Sequence, residues 1–184
     1  MPPFPSIPLQ TERLVIRHLT DSDVKALFDI RSNSEVMRYW SSPPITELEQ
    51  AQNIITRSQE GDEAGEFLQL GIERRMDGVL IGTCTLFSFH LPSRRAEIGY
   101  VLGRPYWGQG YMHEALQRLV QYAFENLDLN RLEADIDPRN AASAKTLQRL
   151  GFRKEGYMYE RWIVGDEVSD TEFYGLLRKD WRKP

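Results

Sequence analysis

Two closely spaced glycines, Gly108 and Gly110, join a segment with the period of a strand to a segment with the period of a helix. Over residues 96–103, apolar residues alternate with polar or small ones, as in a strand with two distinct faces. Over residues 112–127, apolar residues recur at steps of three and four, which predicts one continuous apolar helix face. The chain is therefore expected to pass from a strand directly into the N-terminus of a helix.

The start of that helix is a candidate anion site. The first amides of a helix have no internal hydrogen-bond partner and carry the positive end of the helix dipole. Glycines at this point let a phosphate come close to the backbone. By itself, however, a Gly-x-Gly pair is more often an ordinary turn, so the rest of the chain has to decide between the two interpretations.

The remaining segments predict one α/β (α+β) domain over residues 1–184, with a core from about 11 to 180. Strands are predicted at residues 14–19, 67–73, 79–87, from about 95, and at 131–136, 152–162 and 169–177. Thr20 is predicted to cap one helix, and Thr46 with Glu49 to form a capping box for another, while residues 34–39 and 141–150 are also predicted to be helical. We therefore expect a mixed, mostly antiparallel sheet of about six to seven strands, flanked by about four helices.

Composition and charge argue against several classes of protein. The chain has 184 residues and a net charge of −4 with the two signs interspersed, which argues against a general nucleic-acid surface. It contains no apolar run long enough to span a membrane and no signal-peptide pattern, so we expect a cytoplasmic protein. Cys84 lies alone in an apolar segment and is predicted to be a core thiol. The three histidines are too scattered to suggest a metal site, so no metal is expected.

Four segments carry a resemblance to a known family. They are T-E-R-L at residues 11–14, A-E-I-G-Y at 96–100, W-G-Q-G-Y at 107–111 followed by E-A-L at 114–116, and N-x-x-S at 140–143 leading to L-G-F at 150–152. Together they resemble the GCN5-related N-acetyltransferase superfamily, in the branch similar to the ribosomal-protein alanine acetyltransferases. The motifs span nearly the whole chain.

The resemblance implies acetyl-CoA as co-substrate, with its pyrophosphate on the glycine loop. The family's loop often begins with Gln or Arg, whereas this chain has Pro105 there and Arg104 one step earlier, and proline has no N–H to donate. Backbone amides from Trp107 to Tyr111 are therefore predicted to hold the anion. A P-loop would need Lys-Ser/Thr after the glycines, and a dinucleotide-binding loop would need a third glycine. The cofactor-binding residues implied by the resemblance are Ile98, Tyr100, Val101, Trp107, Gly108, Gln109, Gly110, Tyr111, Asn140 and Ser143.

The implied reaction is direct transfer of an acetyl group to a primary amine, which has to be neutral when it attacks. Glu97 is the candidate general base, because it lies on the strand face opposite Ile98 and Tyr100. The alternatives are a water-mediated base, and a structural Glu97 that is solvated or paired with Arg94 or Arg95. Backbone amides near Tyr100 and Val101 are implied as the donors to the oxyanion.

Further site residues follow from the resemblance and from the aromatic residues. Ser143 is implied to lie beside the sulfur, although a serine is also common at the start of a helix. Asn140 is predicted to cap that helix and to contact the pantetheine or nucleotide arm. The candidate acceptor pocket contains Tyr39, Trp40, His90 and Tyr157, although such aromatic residues are more often part of a core.

The sequence leaves the acceptor open. An N-acetyltransferase that acts on a protein N-terminal α-amine or on a small-molecule amine is the leading hypothesis, and a non-catalytic acyl-CoA-binding sensor is the alternative. Phosphoryl transfer on a nucleotide is a third hypothesis with less support. Neither nucleic acid nor membrane is expected as a partner, and the chain is expected to be a monomer or a homodimer.

Overall fold

Residues 4–183, which a computed structural model describes, form one sheet with helices on both of its faces. The strands are β1 Leu9–Gln10, β2 Leu14–His18, β3 Leu68–Arg74, β4 Val79–His90, β5 Arg95–Leu102, β6 Arg131–Ile136, β7 Arg153–Val164 and β8 Glu167–Leu177. The helices are α1 Val24–Arg31, α2 Ser34–Met37, α3 Leu48–Ala64, α4 Tyr111–Glu125 and α5 Ala141–Arg149. Residues 1–3 and 184, which the predicted domain includes, lie outside the described residues.

The strand order is β1-β2-β3-β4-β5-β6-β8-β7. Every neighbouring pair is antiparallel except β5 and β6, which are parallel. This confirms the predicted α/β class with a mixed, mostly antiparallel sheet. Within residues 4–183 there are eight strands and five α-helices, slightly more than predicted. The additional strand, β1, has only two residues, and a segment this short carries no periodic signal.

Helices cover the two faces of the sheet unequally. On one face, α4 and α5 pack on the main core, to which Ile81, Leu119 and Leu147 belong. On the other face, α1 and α3 pack on Leu80 through Leu27 and Ile55. Leu80 and Ile81 are neighbours on β4, so the alternation of a strand accounts for the two separate cores. Among residues 4–183, no helix is both long and apolar enough to cross a membrane.

The parallel strands β5 and β6 separate soon after they meet. Their register contains three pairs and ends with Glu97 opposite Glu133, although β5 continues to Leu102 and β6 to Ile136. The facing edges of residues 98–102 and 134–136 therefore form a cleft within the sheet. Because α4 follows β5 and α5 follows β6, both helices begin at the open end of this cleft.

Several turns and helix ends are set by local sequence. Gly151 after α5 and Gly78 in the β3–β4 turn have φ values of 94° and 70°, as the left-handed cap and the hairpin turn require. The predicted capping box of α3 was wrong in position. The Gln50 side chain, not that of Glu49, accepts hydrogen bonds from the amides of Thr46 (2.7 Å) and Glu47 (3.0 Å), and Glu47 is the N-cap.

Candidate active site

The glycine loop presents a row of free backbone amides. Gly108 and Gly110 have φ values of 75° and 81°, in the left-handed region that favours glycine, and Gly110 is the N-cap of α4. The first amide of α4 with a helical partner is that of Glu114, which donates to Gly110 O at 3.1 Å. Within residues 4–183, the amides from Gly108 to His113 donate no hydrogen bond. This row has the character of an anion site at a helix N-terminus.

The row is shifted by one residue from the predicted one. The Trp107 amide donates to Arg104 O at 3.3 Å, so it is already used inside the loop. The Trp107 indole N–H donates to Leu102 O at 2.7 Å, and the Gln109 side-chain amide donates to Pro105 O at 2.9 Å. Side chains therefore brace the loop from within, and the free amides begin at Gly108.

Two motifs that are far apart in sequence meet behind this loop. Glu114 on α4 accepts hydrogen bonds from the Thr11 hydroxyl (2.5 Å) and from the backbone N–H and Nε of Arg13 (2.9 and 2.6 Å). Arg13 Nη1 donates to Gln109 O at 2.9 Å, and the guanidinium lies 4.5 Å from the ring centre of Tyr111. Burial alone would raise the pKa of Glu114, but the bonds from Thr11 and Arg13 outweigh it and lower this pKa. We call this contact the Arg13–Glu114 latch.

Replacing Glu114 by glutamine is expected to loosen the loop, because the amide keeps the shape of the latch but loses its charge. Hydrogen bonds to a charged group are worth about 1.5–3 kcal/mol when shielded, so a fall in unfolding free energy of about 1 kcal/mol is expected at this partly exposed site. The loss should be present at neutral pH and disappear as the pH falls through the lowered pKa of Glu114, since the wild-type contribution is then also lost.

Chemical denaturation at several pH values measures this difference. The control is Glu125→Gln, at the other end of α4, where the carboxylate meets Lys183 at 2.8 Å on the surface. An exposed pair contributes little, so this variant should remain close to wild type. Equal effects of the two substitutions would contradict a special role for the latch.

The cleft side of β5 presents backbone and one hydroxyl. Ile98 and Val101 are buried, and in the alternation of the antiparallel β4–β5 pair only the even-numbered residues of β5, such as Ile98 and Tyr100, turn their backbone groups to the unpaired edge. The Tyr100 hydroxyl lies 2.6 Å from Ser143 Oγ, which connects β5 to α5 across the cleft. Asn140 caps α5 as predicted, accepting from the Ser143 amide at 3.1 Å.

Glu97 projects from the opposite face of β5 and is not held in an ion pair. Arg94 pairs with Asp128, and Arg95 pairs with Glu133 at 2.7 Å, so the predicted alternative of a salt bridge from Glu97 to either arginine is wrong. Burial raises the pKa of Glu97, and the negative charges of Asp135 and Glu133 raise it further, while a hydrogen bond with the Ser88 side chain acts against the rise. These surroundings are typical of a tuned carboxylate base.

A cavity of about 250 Å³ opens between the α2 side of the sheet and the β7–β8 hairpin. Tyr39 and Trp40, two of the four predicted pocket aromatics, line it. The structure does not bring the other two there. His90 caps a local turn, where its Nδ1 accepts from the Ser93 amide at 3.2 Å. The Tyr157 hydroxyl donates to Asp170 at 2.5 Å. Tyr157 pairs in register with Glu172, and this places its side chain on the face of the sheet opposite to that of Glu97.

Sequence reasoning missed two charged residues in the same cavity. Asp137 is buried, and Arg139 contacts both of its carboxylate oxygens while also meeting Glu167 at 2.6 Å. Burial would raise the pKa of Asp137, but the hydrogen bonds from the side chain and backbone of Arg139 lower it. In the sequence, residues 137–140 lie between a predicted strand and a predicted helix and were given no role. An acidic residue followed two positions later by arginine was the signal available there.

Side chains suited to a metal do not gather in the described part of the chain. No group of three or more His, Cys, Asp or Glu residues capable of holding a metal ion occurs there. Cys84 is a buried free thiol, as predicted, and burial raises its pKa to about 12. It therefore stays protonated at neutral pH.

Residues 13–153 match the family model described as "Acetyltransferase (GNAT) domain". The "uncharacterized N-acetyltransferase p20" of Bacillus licheniformis is 35% identical over 173 residues, covering 94% of this chain and 97% of the relative. The ribosomal protein uS5-alanine N-acetyltransferase of Escherichia coli is 27% identical, with 96% and 94% covered. The structure of Mycobacterium smegmatis RimJ in complex with CoA-disulfide matches the fold with a TM-score of 0.88, at 22% identity and coverages of 97% and 91%.

Proposed function

The chain belongs to the GNAT acetyltransferase family and is an acetyltransferase, and from this premise we propose that it transfers an acetyl group directly from acetyl-CoA to a primary amine. The observation that carries the proposal is the row of free amides from Gly108 to His113 at the open end of the β5–β6 cleft. A pyrophosphate fits such a row, and the cleft leads from it towards Glu97 and Ser143.

Each part of the cleft has a role in this proposal. The amides of the loop bind the pyrophosphate, and the Tyr100 amide on the unpaired edge of β5 donates to the oxyanion that forms at the acetyl carbonyl. Glu97 accepts the proton of the amine. Ser143 donates a hydrogen bond to the departing thiolate, and Asn140 holds the start of α5.

The amine proposed here is the α-amine of a protein N-terminus. The support is the name of the E. coli relative, which modifies a ribosomal protein alanine, together with the solvent-open cavity lined by Tyr39 and Trp40. A protein α-amine titrates near about 8, lower than a lysine amine, so less help from a base is needed to form the neutral amine at physiological pH. The same proposal includes a cytoplasmic location, and its support is the name of the E. coli relative, which acts on a ribosomal protein.

The test is a thiol-release assay with acetyl-CoA and a panel of amines, containing peptides with free and blocked N-termini and small amines. Peptides with a free N-terminus are expected to release CoA thiol, and their blocked counterparts are expected to release none. Activity with small amines alone would show that the acceptor is a small amine and not a protein N-terminus. Stabilisation by acetyl-CoA in thermal unfolding, with no turnover on any amine, would instead favour the acyl-CoA sensor.

A further inference from the structure

The hydroxyls of Tyr100 and Ser143 form one hydrogen-bonded pair inside the cleft. They lie 2.6 Å apart, although the two residues are 43 positions apart in sequence. Ser143 is buried at the first turn of α5, and the Tyr100 ring packs on the main core. The pair connects the strand that bears the oxyanion donors to the helix that bears the proposed thiolate partner.

Either hydroxyl can donate in this pair, and Tyr100 is the donor once the Ser143 proton points to a group in the cleft. Burial raises the pKa of Tyr100 to about 12, so its hydroxyl keeps its proton at neutral pH. A phenol is a stronger hydrogen-bond donor than an aliphatic alcohol, since it is the more acidic group. The other acceptor near this hydroxyl is Ser143 O, at the long distance of 3.5 Å. A buried hydroxyl without an acceptor is costly, so when Ser143 donates to a group in the cleft, the Tyr100 proton turns to the nearer acceptor, Ser143 Oγ.

With Tyr100 as the donor, the Ser143 hydroxyl proton is free to point to an acceptor that enters the cleft. The Ser143 amide is already bonded to the Asn140 cap, and Ser143 Oγ makes no other hydrogen bond within residues 4–183. A donor that itself accepts a hydrogen bond is polarised and becomes a stronger donor. The Ser143 O–H is therefore available for a group that enters the cleft.

We infer that Tyr100 is a positioning residue, whose hydroxyl holds and polarises Ser143 so that Ser143 donates to the thiolate of CoA. This inference rests on the proposed function. In the transfer, the amine nitrogen bonds to the acetyl carbon, and the carbon–sulfur bond breaks with its electron pair on sulfur. Glu97 takes the proton that the ammonium loses before attack, and the second proton, which nitrogen loses as the amide forms, is released to water. Ser143 keeps its own proton and stabilises the thiolate by a hydrogen bond alone.

The test measures the pKa of the thiol of bound CoA. The readout is the ultraviolet absorbance of the thiolate, which is recorded as the pH is raised. Tyr100→Phe, which removes only the hydroxyl, is expected to raise this pKa by about one unit, a tenfold loss of thiolate at a given pH. Ser143→Ala is expected to raise it at least as much. The double variant should equal Ser143→Ala, because Tyr100 acts through Ser143.

The matched control is Tyr174→Phe. Tyr174 is also buried on the α5 side of the sheet, but its hydroxyl donates to Glu172 at 2.9 Å. This variant should leave the thiol pKa unchanged. An unchanged thiol pKa in Tyr100→Phe would overturn the inference, and so would effects of Tyr100→Phe and Ser143→Ala that add in the double variant.

This measurement needs CoA but no acceptor amine, so it separates the inference from the proposed reaction. A wild-type protein that shows the shifted thiol pKa but acetylates no amine would support the pair and contradict the transferase role. In an active enzyme, Tyr100→Phe is expected to lower kcat about tenfold while changing the affinity for acetyl-CoA less than about twofold. Equal losses in kcat and in affinity would indicate a merely structural role.

Discussion

Glu97→Gln is expected to lower kcat/KM by about 10²- to 10⁴-fold, the range that a positioned general base contributes. The substitution keeps the shape of the side chain and removes only its ability to take a proton. Because the pyrophosphate loop is untouched, the affinity for acetyl-CoA should stay close to that of the wild type. Steady-state kinetics and direct binding measurements on the same preparations give both quantities.

The pH dependence provides a sharper test of the same role. The pKa of Glu97 is raised above its ordinary value by burial and by its acidic neighbours, so the acid limb of wild-type kcat/KM should lie at a higher pH than an ordinary glutamate would give. The deficit of the variant should be largest at low pH. It should shrink as the pH approaches the pKa of the amine, where the amine itself supplies the neutral form. A pH profile that the substitution leaves unchanged would remove Glu97 as the base.

The stability of the Glu97→Gln variant is expected to stay the same or to rise, although its activity falls. A carboxyl whose folded-state pKa is raised is more stable in its protonated form, so its contribution to stability is present at low pH and is lost as the pH rises through the raised pKa. Neutral glutamine avoids the cost of a buried charge. The variant should therefore unfold at the same or a higher temperature than the wild type at pH 7, which separates lost chemistry from lost folding.

Asp135→Asn is the matched control on the same sheet face. The Asp135 charge raises the pKa of Glu97, and the Asp135 carboxylate accepts from the Trp162 indole N–H at 3.2 Å, a bond that asparagine can keep. Removing this charge should move the acid limb to lower pH. An acid limb that stays in place would show that Glu97 does not set it.

Gly108→Val is expected to weaken acetyl-CoA binding by about 10- to 100-fold, equivalent to about 1.4–2.8 kcal/mol. The φ of Gly108 is 75°, and a Cβ added there would meet no protein atom within 4 Å. The valine side chain would therefore extend into open space beside the free amides of the loop, where the proposed pyrophosphate lies. Calorimetric titration with CoA measures the loss.

Gly78→Val separates this steric effect from backbone strain. Gly78 lies in the β3–β4 turn, and it too has a left-handed φ, of 70°, with open space around an added Cβ. Both variants carry a left-handed valine, which costs about 1–2 kcal/mol of stability. They should unfold at similarly lowered temperatures, but only Gly108→Val should lose affinity. Unchanged affinity in Gly108→Val would mean that the loop does not hold the cofactor.

Local features of the fold were predictable because they depend on neighbours in sequence. The strand–glycine–helix order around Gly108 and Gly110, the Asn140 cap and the left-handed Gly151 are all visible in short windows, since each follows from backbone preference or helical period. The α3 capping box was placed one residue away from its observed position. Glu49 and Gln50 are both able to reach back to an N-cap, and the sequence does not show which one does.

Contacts between distant segments required the structure. In the sequence, the T-E-R-L segment carried only a resemblance to the family. Its contact with Glu114 depends on the packing of β2 against α4, which the sequence does not show. Tyr157 was predicted in the acceptor pocket, but its side chain lies on the face of the sheet opposite to that of Glu97. A shift of one residue in register moves every side chain of a strand to the opposite face, so a pattern of aromatic residues on β7 does not reveal which of them face the cavity.

The sequence by itself determined that a strand passes through a glycine loop into an amphipathic helix, and its joint motifs identified the family. Only the tertiary structure decided that β5 and β6 part beyond Glu97, that Arg95 pairs with Glu133 and not with Glu97, and that Tyr100 meets Ser143. The physical reason is that backbone preferences and periodicity act within a few residues. The surroundings that tune a carboxylate or orient a hydroxyl come from strand register and helix packing, which bring together residues tens of positions apart.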